Sequence, residues 1–158
     1  VIGAIIGDVV GSTLEFKNNK TKDFSLFEYN KEITDDSILT MAVFSALEKC
    51  NNDYQNIGNF VANEFISFYK KYPNPMGAYG ASFENWCINS IKSNGIQPPY
   101  NSYGNGAAMR ISPVAYFSSS MEECIKLSRI ITGITHNHLE GIKGAEANFI
   151  CYIYGIKL

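Results

Sequence analysis

Apolar side chains recur every three or four residues through most of this chain and nowhere alternate with polar ones over the length of a strand. That periodicity confines the chain to a helical fold. The clearest helix runs over 36–50, from Asp36 and Ser37 through Ile38, Leu39, Val43 and Leu47. A second spans 55–72, where Ile57, Phe60, Val61, Phe65, Ile66 and Phe68 share helical spacing, and Pro73 and Pro75 end it. Helices are also predicted over 2–14, 79–92, 121–134 and 139–155. Asn94-Gly95-Ile96-Gln97-Pro98-Pro99 breaks the pattern, and 17–33 reads as a loop. With no hairpin signal, internal repeat or low-complexity segment, the 158 residues form a single all-α domain, 1–158, of packed, non-coiled helices.

The first predicted helix carries Gly3, Gly7 and Gly11 among Ile2, Ile5, Ile6, Val9 and Val10. Glycines four apart leave one smooth face for close packing, and their loss of helix stability calls for compensation. This segment has no charged leader and meets Asp8 early, so it reads as a core helix rather than a signal peptide. At the other end the apolar pattern Phe149-Ile150-Cys151-Tyr152-Ile153 runs on to Leu158, which predicts that further chain covers it.

Charge narrows the function classes. The 13 Lys and Arg are scattered and the net charge is −2, so no basic stripe argues for nucleic acid. No apolar run reaches the length of a membrane span. Cys50, Cys87, Cys124 and Cys151 are far apart, which disfavours zinc and redox motifs and predicts buried free thiols in a cytoplasmic protein.

Three polar clusters interrupt the apolar pattern. Ser102-Tyr103-Gly104-Asn105-Gly106-Ala107-Ala108-Met109-Arg110 is a small-residue loop whose backbone N–H groups can approach a ligand closely. A helix starting there would add its dipole and unpaired N–H groups in favour of a phosphate. Arg110 suits either a phosphate or a buried carboxylate such as Asp8, the second being favoured, and Tyr103 could stack on a base or ribose.

Thr34-Asp35-Asp36 precedes the clearest helix and suits an N-cap. Its oxygens equally suit Mg²⁺ or Mn²⁺, with further carboxylates needed to fill the coordination shell. Glu15 reads as a solvated helix end or as a ligand or base facing that metal, and Asp8 as a structural partner to a helix terminus. His136 and His138, the only histidines, flank Asn137 at a junction between two helices, where one imidazole could bond a phosphate or ribose.

Taken together, Gly3-Ala4-Ile5-Ile6-Gly7-Asp8-Val9-Val10-Gly11-Ser12 with Glu15, Thr34-Asp35-Asp36-Ser37, Tyr103 to Arg110, and Thr135-His136-Asn137-His138 with Gly141 to Ala145 resemble the ADP-ribosylglycohydrolases. The resemblance spans nearly the whole chain. It implies an orthogonal helical bundle around a centre of two Mg²⁺ or Mn²⁺ ions. It also implies metal-dependent hydrolysis of the glycosidic bond between ADP-ribose and a protein side chain or small acceptor.

Carried over by motif, Thr34, Asp35 and Asp36 are metal ligands, and Glu15, Asp35 and Asp36 are the catalytic carboxylates. Ser102, Tyr103, Gly104, Asn105, Gly106 and His136 bind substrate. The family's second acidic motif, an Asp-x-Asp followed by Thr or Ser, has no counterpart here, since no aspartate follows Asp53. The expectation is therefore a fragment carrying half of the metal site. A truncated, non-catalytic ADP-ribose-binding module is the alternative.

Overall fold

The computed structural model describes residues 1–15, 19–26 and 30–156, and side chains at all of these except 149 and 151–156. The apolar run toward Leu158 and the Cys151 thiol lie largely outside that description. Among the described residues the elements are α1 (Ile2–Gly11), α2 (Asp35–Lys49), α3 (Ile57–Lys71), α4 (Ala81–Ser93), α5 (Ser112–Phe117), α6 (Met121–Gly133) and α7 (Leu139–Ile156). Single 3₁₀ turns occupy Tyr54–Asn56 and Ala108–Arg110. Thr34 and Met76 form an isolated bridge, and no strand is present among the described residues.

α2 is the pillar. Ile38, Leu39, Ala42, Val43, Ala46 and Leu47 are all buried, as are Ser37 and Thr40, so the helix is enclosed on most of its circumference. It packs against α3, α5, α1 and the 3₁₀ turn at Ala108–Arg110. Its start is written in Thr34, whose hydroxyl accepts the Asp36 N–H at 3.2 Å while Asp35 and Asp36 suit the positive helix end. Beyond Cys50, Asn51 and Asn52 take positive φ and stop the helix.

α3 buries Ile57, Val61, Ala62 and Phe65, and α6 buries Cys124, Leu127 and Ile131. α4 closes on Asn94 in the left-handed region, with the Gly95 N–H on the Ser90 carbonyl at 3.1 Å. Cys50, Cys87 and Cys124 are buried free thiols. No helix among the described residues is long and apolar enough to cross a membrane.

α1 departs from its expected role. None of its residues is buried, Ile2 is 75% exposed, and Gly3, Gly7 and Gly11 face open space with nothing within 4 Å of where a side chain would begin. It is therefore neither a core helix nor a close-packed glycine face among the described residues. Polar clasps hold it instead. The Asp8 carboxylate accepts the Thr34 N–H at 2.9 Å, the Thr34 hydroxyl at 2.6 Å, and both the N–H and hydroxyl of Ser37. Lys31 Nζ donates to the Val10 carbonyl at 2.6 Å, and Ser12 Oγ to the Val9 carbonyl at 2.9 Å, satisfying the C-terminal end.

Hydrogen bonds to a charged acceptor contribute about 1.5–3 kcal/mol each and are not additive. Asp8→Ala is accordingly expected to destabilise the chain by roughly 2–4 kcal/mol. The urea midpoint should fall with an unchanged slope, and α1 should lose amide-exchange protection before α2 does.

Candidate functional site

A cavity of about 270 Å³ opens where α2, α4, the glycine loop and the α6–α7 junction meet. Asp35 and Leu39 of α2 line one side, Gly80 to Phe83 a second, and Ser102 with Gly104 to Gly106 a third. Tyr100, Met109, Arg110 and His136 complete the wall.

The glycine loop is held from outside itself. The Tyr100 N–H donates to the Thr135 carbonyl at 3.2 Å and the Asn101 N–H to Asn137 Oδ1 at 2.8 Å. Ser102 Oγ accepts the Gly104 N–H at 3.1 Å. Two glycines are required by contact. A Cβ at Gly106 would stand 2.9 Å from His136 Nε2, and one at Gly141 would stand 2.8 Å from the Ser102 carbonyl oxygen. The Thr40 hydroxyl ties α2 to the far end of the loop through the Met109 carbonyl at 3.3 Å.

No long helix begins at this loop, contrary to expectation. Gly104-Asn105-Gly106 leads into the 3₁₀ turn, and the six-residue α5 starts only at Ser112. Pro113 sits in the first turn of α5, where its missing N–H is tolerated and its fixed φ suits the helix. Besides α2, a second long helix begins at the cavity: α4, whose N-cap, Gly80, offers no side chain to its first N–H groups. Sequence reading missed this element's role, although a glycine just ahead of a helical pattern is itself an N-terminal signal.

Arg110 also differs from expectation. It makes no bond to Asp8, whose carboxylate is already filled by Thr34 and Ser37. Instead its guanidinium is 1% exposed, lies 4.2 Å from the Phe65 ring centroid, and donates Nη2–H to the Thr135 hydroxyl at 2.5 Å. Nε and Nη1 have no hydrogen-bond partner among the described residues. Burial lowers its pKa to about 10, with Tyr100, Cys87 and Asp35 opposing the shift, so it stays cationic at neutral pH.

Next to Arg110, His136 is buried. Its Nδ1 lies 2.9 Å from the Thr135 hydroxyl and its ring meets Tyr100 edge-on. Desolvation first, and then Arg110, lower its pKa to about 4, which keeps it neutral. His138 sits outside the cavity wall, accepting the Glu140 N–H on Nδ1 at the start of α7 and meeting the exposed Tyr103 ring.

The acidic corner lies across the cavity from that junction. Asp35 and Asp36 are half-buried at the start of α2, and Glu15 is exposed in the turn after α1. Asp35 is pushed up to about 7 by desolvation, then by the charges of Asp36, Glu15 and Asp8. Asp36 is pushed up to about 6 by desolvation, then by Asp8 and Glu15. Thr34 is buried, its hydroxyl donating to Asp8 and accepting from Asp36. Among the described residues no three His, Cys, Asp or Glu side chains converge closely enough to hold a metal ion. Of the expected residues, Asp35, Ser102, Gly104, Asn105, Gly106 and His136 line the cavity. Asp36, Glu15, Thr34 and Tyr103 are not part of its lining, and Tyr103 is exposed.

Comparison with known proteins gives one family. The ADP-ribosylglycohydrolase family model matches residues 1–156. The chain is similar to ADP-ribosylhydrolase ARH3 of Xenopus tropicalis, 26% identical over 99% of this chain and 49% of that protein. It is also similar to "Putative ADP-ribosyl glycohydrolase L543" of Acanthamoeba polyphaga mimivirus, 24% identical over 100% of this chain and 52% of that one. The chain thus spans about half the length of the curated relatives it matches.

The raised carboxylates give a pH prediction. Between about 4 and 7 the native state holds protons on Asp35 and Asp36 that the unfolded chain, with aspartates near 3.8, has released. Stability from this pair is therefore greatest below pH 4 and is lost as pH rises through 6 and 7. His136 acts in the opposite sense, since its lowered pKa removes stability as pH falls from 6.5 toward 4. Subtracting the wild-type profile from that of Asp35→Asn isolates the carboxylate. The variant should match wild type in melting temperature at pH 3.5 and exceed it at pH 8, whereas parallel profiles would remove the repulsion described.

Proposed function

The chain belongs to the ADP-ribosylglycohydrolase family, and from that membership we propose that it forms part of a metal-dependent hydrolase. The bond cleaved joins ADP-ribose to a protein side chain or a small acceptor. The observation that carries this reading is the cavity itself, with the Asp35 carboxylate on one side and a tightly held glycine loop on the other.

A diphosphate is anionic and rich in acceptors. The glycine loop offers backbone N–H groups without obstructing side chains, and α4 offers its uncapped N-terminal end. Arg110 adds buried positive charge beneath the same wall. These groups would hold the remote part of the substrate and orient its ribose toward Asp35, so that binding energy positions the scissile bond.

The donor chemistry at the opposite side fits a hard divalent cation in part. Asp35 and Asp36 supply oxygens whose mutual repulsion a cation would relieve, and the Thr34 hydroxyl retains one lone pair. Mg²⁺ or Mn²⁺ would be held by these groups together with ligands beyond the described cluster. When bound, such an ion polarises sugar oxygens and water. Glycosidic cleavage builds positive charge on the sugar, which the carboxylates of Asp35 and Glu15 suit by sign. Glu15 is exposed and free to handle a proton. The cytoplasm, with its supply of ADP-ribosylated proteins and small conjugates, is the compartment this reading fits.

Among the described residues the ligand set is incomplete, which favours a second reading for this stretch of chain, that of an ADP-ribose-binding module without hydrolysis. One experiment separates the two. Calorimetry with ADP-ribose is expected to show binding that Gly106→Val weakens at least tenfold, because its side chain meets His136. Release of ADP-ribose from a modified protein in Mg²⁺ or Mn²⁺, abolished by EDTA and by Asp35→Ala with Asp36→Ala, supports the hydrolase. Binding without release selects the module. A folded chain that does neither refutes both.

A further inference from the structure

The polar atoms beneath the cavity form a directed chain whose purpose the functional reading leaves unexplained. Arg110 Nη2 lies 2.5 Å from Thr135 Oγ1, and Thr135 Oγ1 lies 2.9 Å from His136 Nδ1. Thr135 is fully buried and Arg110 nearly so, which leaves little room for water to rearrange the bonds. His136 Nε2, the other ring nitrogen, abuts Gly106 in the cavity wall.

From this geometry we infer that Arg110 and Thr135 act as positioning residues that fix His136 in its Nε2–H tautomer, making it an obligatory hydrogen-bond donor to an acceptor oxygen of the ligand. A guanidinium is only ever a donor, so it occupies one lone pair of Thr135 Oγ1. A hydroxyl already receiving a charged donor is a poorer acceptor and a better donor, because bonds in a chain polarise one another in one direction. An Nδ1–H pointed at the same oxygen would oppose the guanidinium N–H dipole. The Thr135 proton therefore points outward, toward one of two acceptors within reach, His136 Nδ1 and the Tyr100 hydroxyl. A neutral imidazole nitrogen takes up a proton at about pH 6.5 in water, whereas a phenol only loses one, at about pH 10, so the imidazole is the better acceptor. With Nδ1 accepting, Nε2 must carry the hydrogen.

The consequence for ligand choice rests on the proposed ADP-ribose reading. A fixed Nε2–H at Gly106 rewards a phosphate or other acceptor oxygen lying on the glycine loop and cannot accept from a hydroxyl there. The loop and the start of α4 line the same cavity and would add N–H donors beside that of His136.

The tautomer is read by two-bond proton–nitrogen correlation on histidine-labelled protein, with His138→Gln assigning the two rings. The expected spectrum has His136 Nδ1 in the unprotonated range and Nε2 in the protonated range. Thr135→Ser and Tyr100→Phe should preserve it, and Thr135→Val should mix or reverse the tautomers. Protonated Nδ1 in the wild-type chain overturns the inference, as does a spectrum unmoved by Thr135→Val. If Thr135→Val does not fold, the wild-type and Thr135→Ser spectra decide the matter alone. Calorimetry with ADP-ribose on the same variants keeps the two readings apart. The expected tautomer without binding sinks the ADP-ribose reading and leaves the tautomer standing, and binding to an Nδ1–H histidine does the reverse. Where both hold, Thr135→Ser should bind within threefold of wild type and Thr135→Val at least tenfold more weakly.

Discussion

A guanidinium withdrawn from water, with one hydrogen-bond partner among the described residues, is an expensive group, and the cavity is arranged around keeping it there. Removing a charge from solvent costs several kcal/mol even after relaxation. Arg110 recovers part of this through the face of Phe65 at 4.2 Å, with Phe83 further out, and part through the Thr135 hydroxyl. Phe65 belongs to α3, Phe83 to α4 and Thr135 to the α6–α7 junction, so one side chain draws on three separate parts of the bundle. The 3₁₀ turn that carries Arg110 is also the end of the glycine loop. Loop position, core packing and the buried charge are thereby a single arrangement.

The acidic corner shows the opposite economy. Asp8 is satisfied completely by Thr34 and Ser37, and it is the feature that holds an otherwise unburied α1 to the start of α2. Among the described residues Asp35 and Asp36 receive no comparable set of donors, and desolvation and then the neighbouring charges raise both. The same short segment thus contains one carboxylate that builds structure and two left under electrostatic strain. Perturbed carboxylates beside a cavity are candidates for functional groups.

Much of the helical layout was legible because periodicity reports burial directly. The helix at 36–50 emerges as Asp35–Lys49, and that at 121–134 as Met121–Gly133. Thr34 as a cap and Asp8 as a partner to a helix terminus were also readable, since both follow from short-range chemistry. Tertiary partners were not. Gly3, Gly7 and Gly11 look like a packing stripe, yet only the neighbours decide whether such a stripe is covered. Arg110 could not be separated from Asp8 by sequence, because the bond that excludes it is made between Asp8 and residues near position 34. The contribution of Gly80 to the cavity was hidden for the same reason. Six of the residues brought together as a site by motif line one cavity, though how Arg110, Thr135 and His136 are wired beneath it could not be read from the sequence.

Gly141 has a role beyond tolerance for close approach. The first turn of α7 rests against the Ser102 carbonyl with no space for even one methyl group. The height of the loop above the cavity floor is consequently gauged by a helix that lies outside the loop's own sequence. Lengthening or reshuffling residues 103–106 would leave that gauge in place, whereas a slight roll of α7 would reset the cavity's depth. The depth of the cavity therefore depends on the packing of α7 as well as on the loop's own residues.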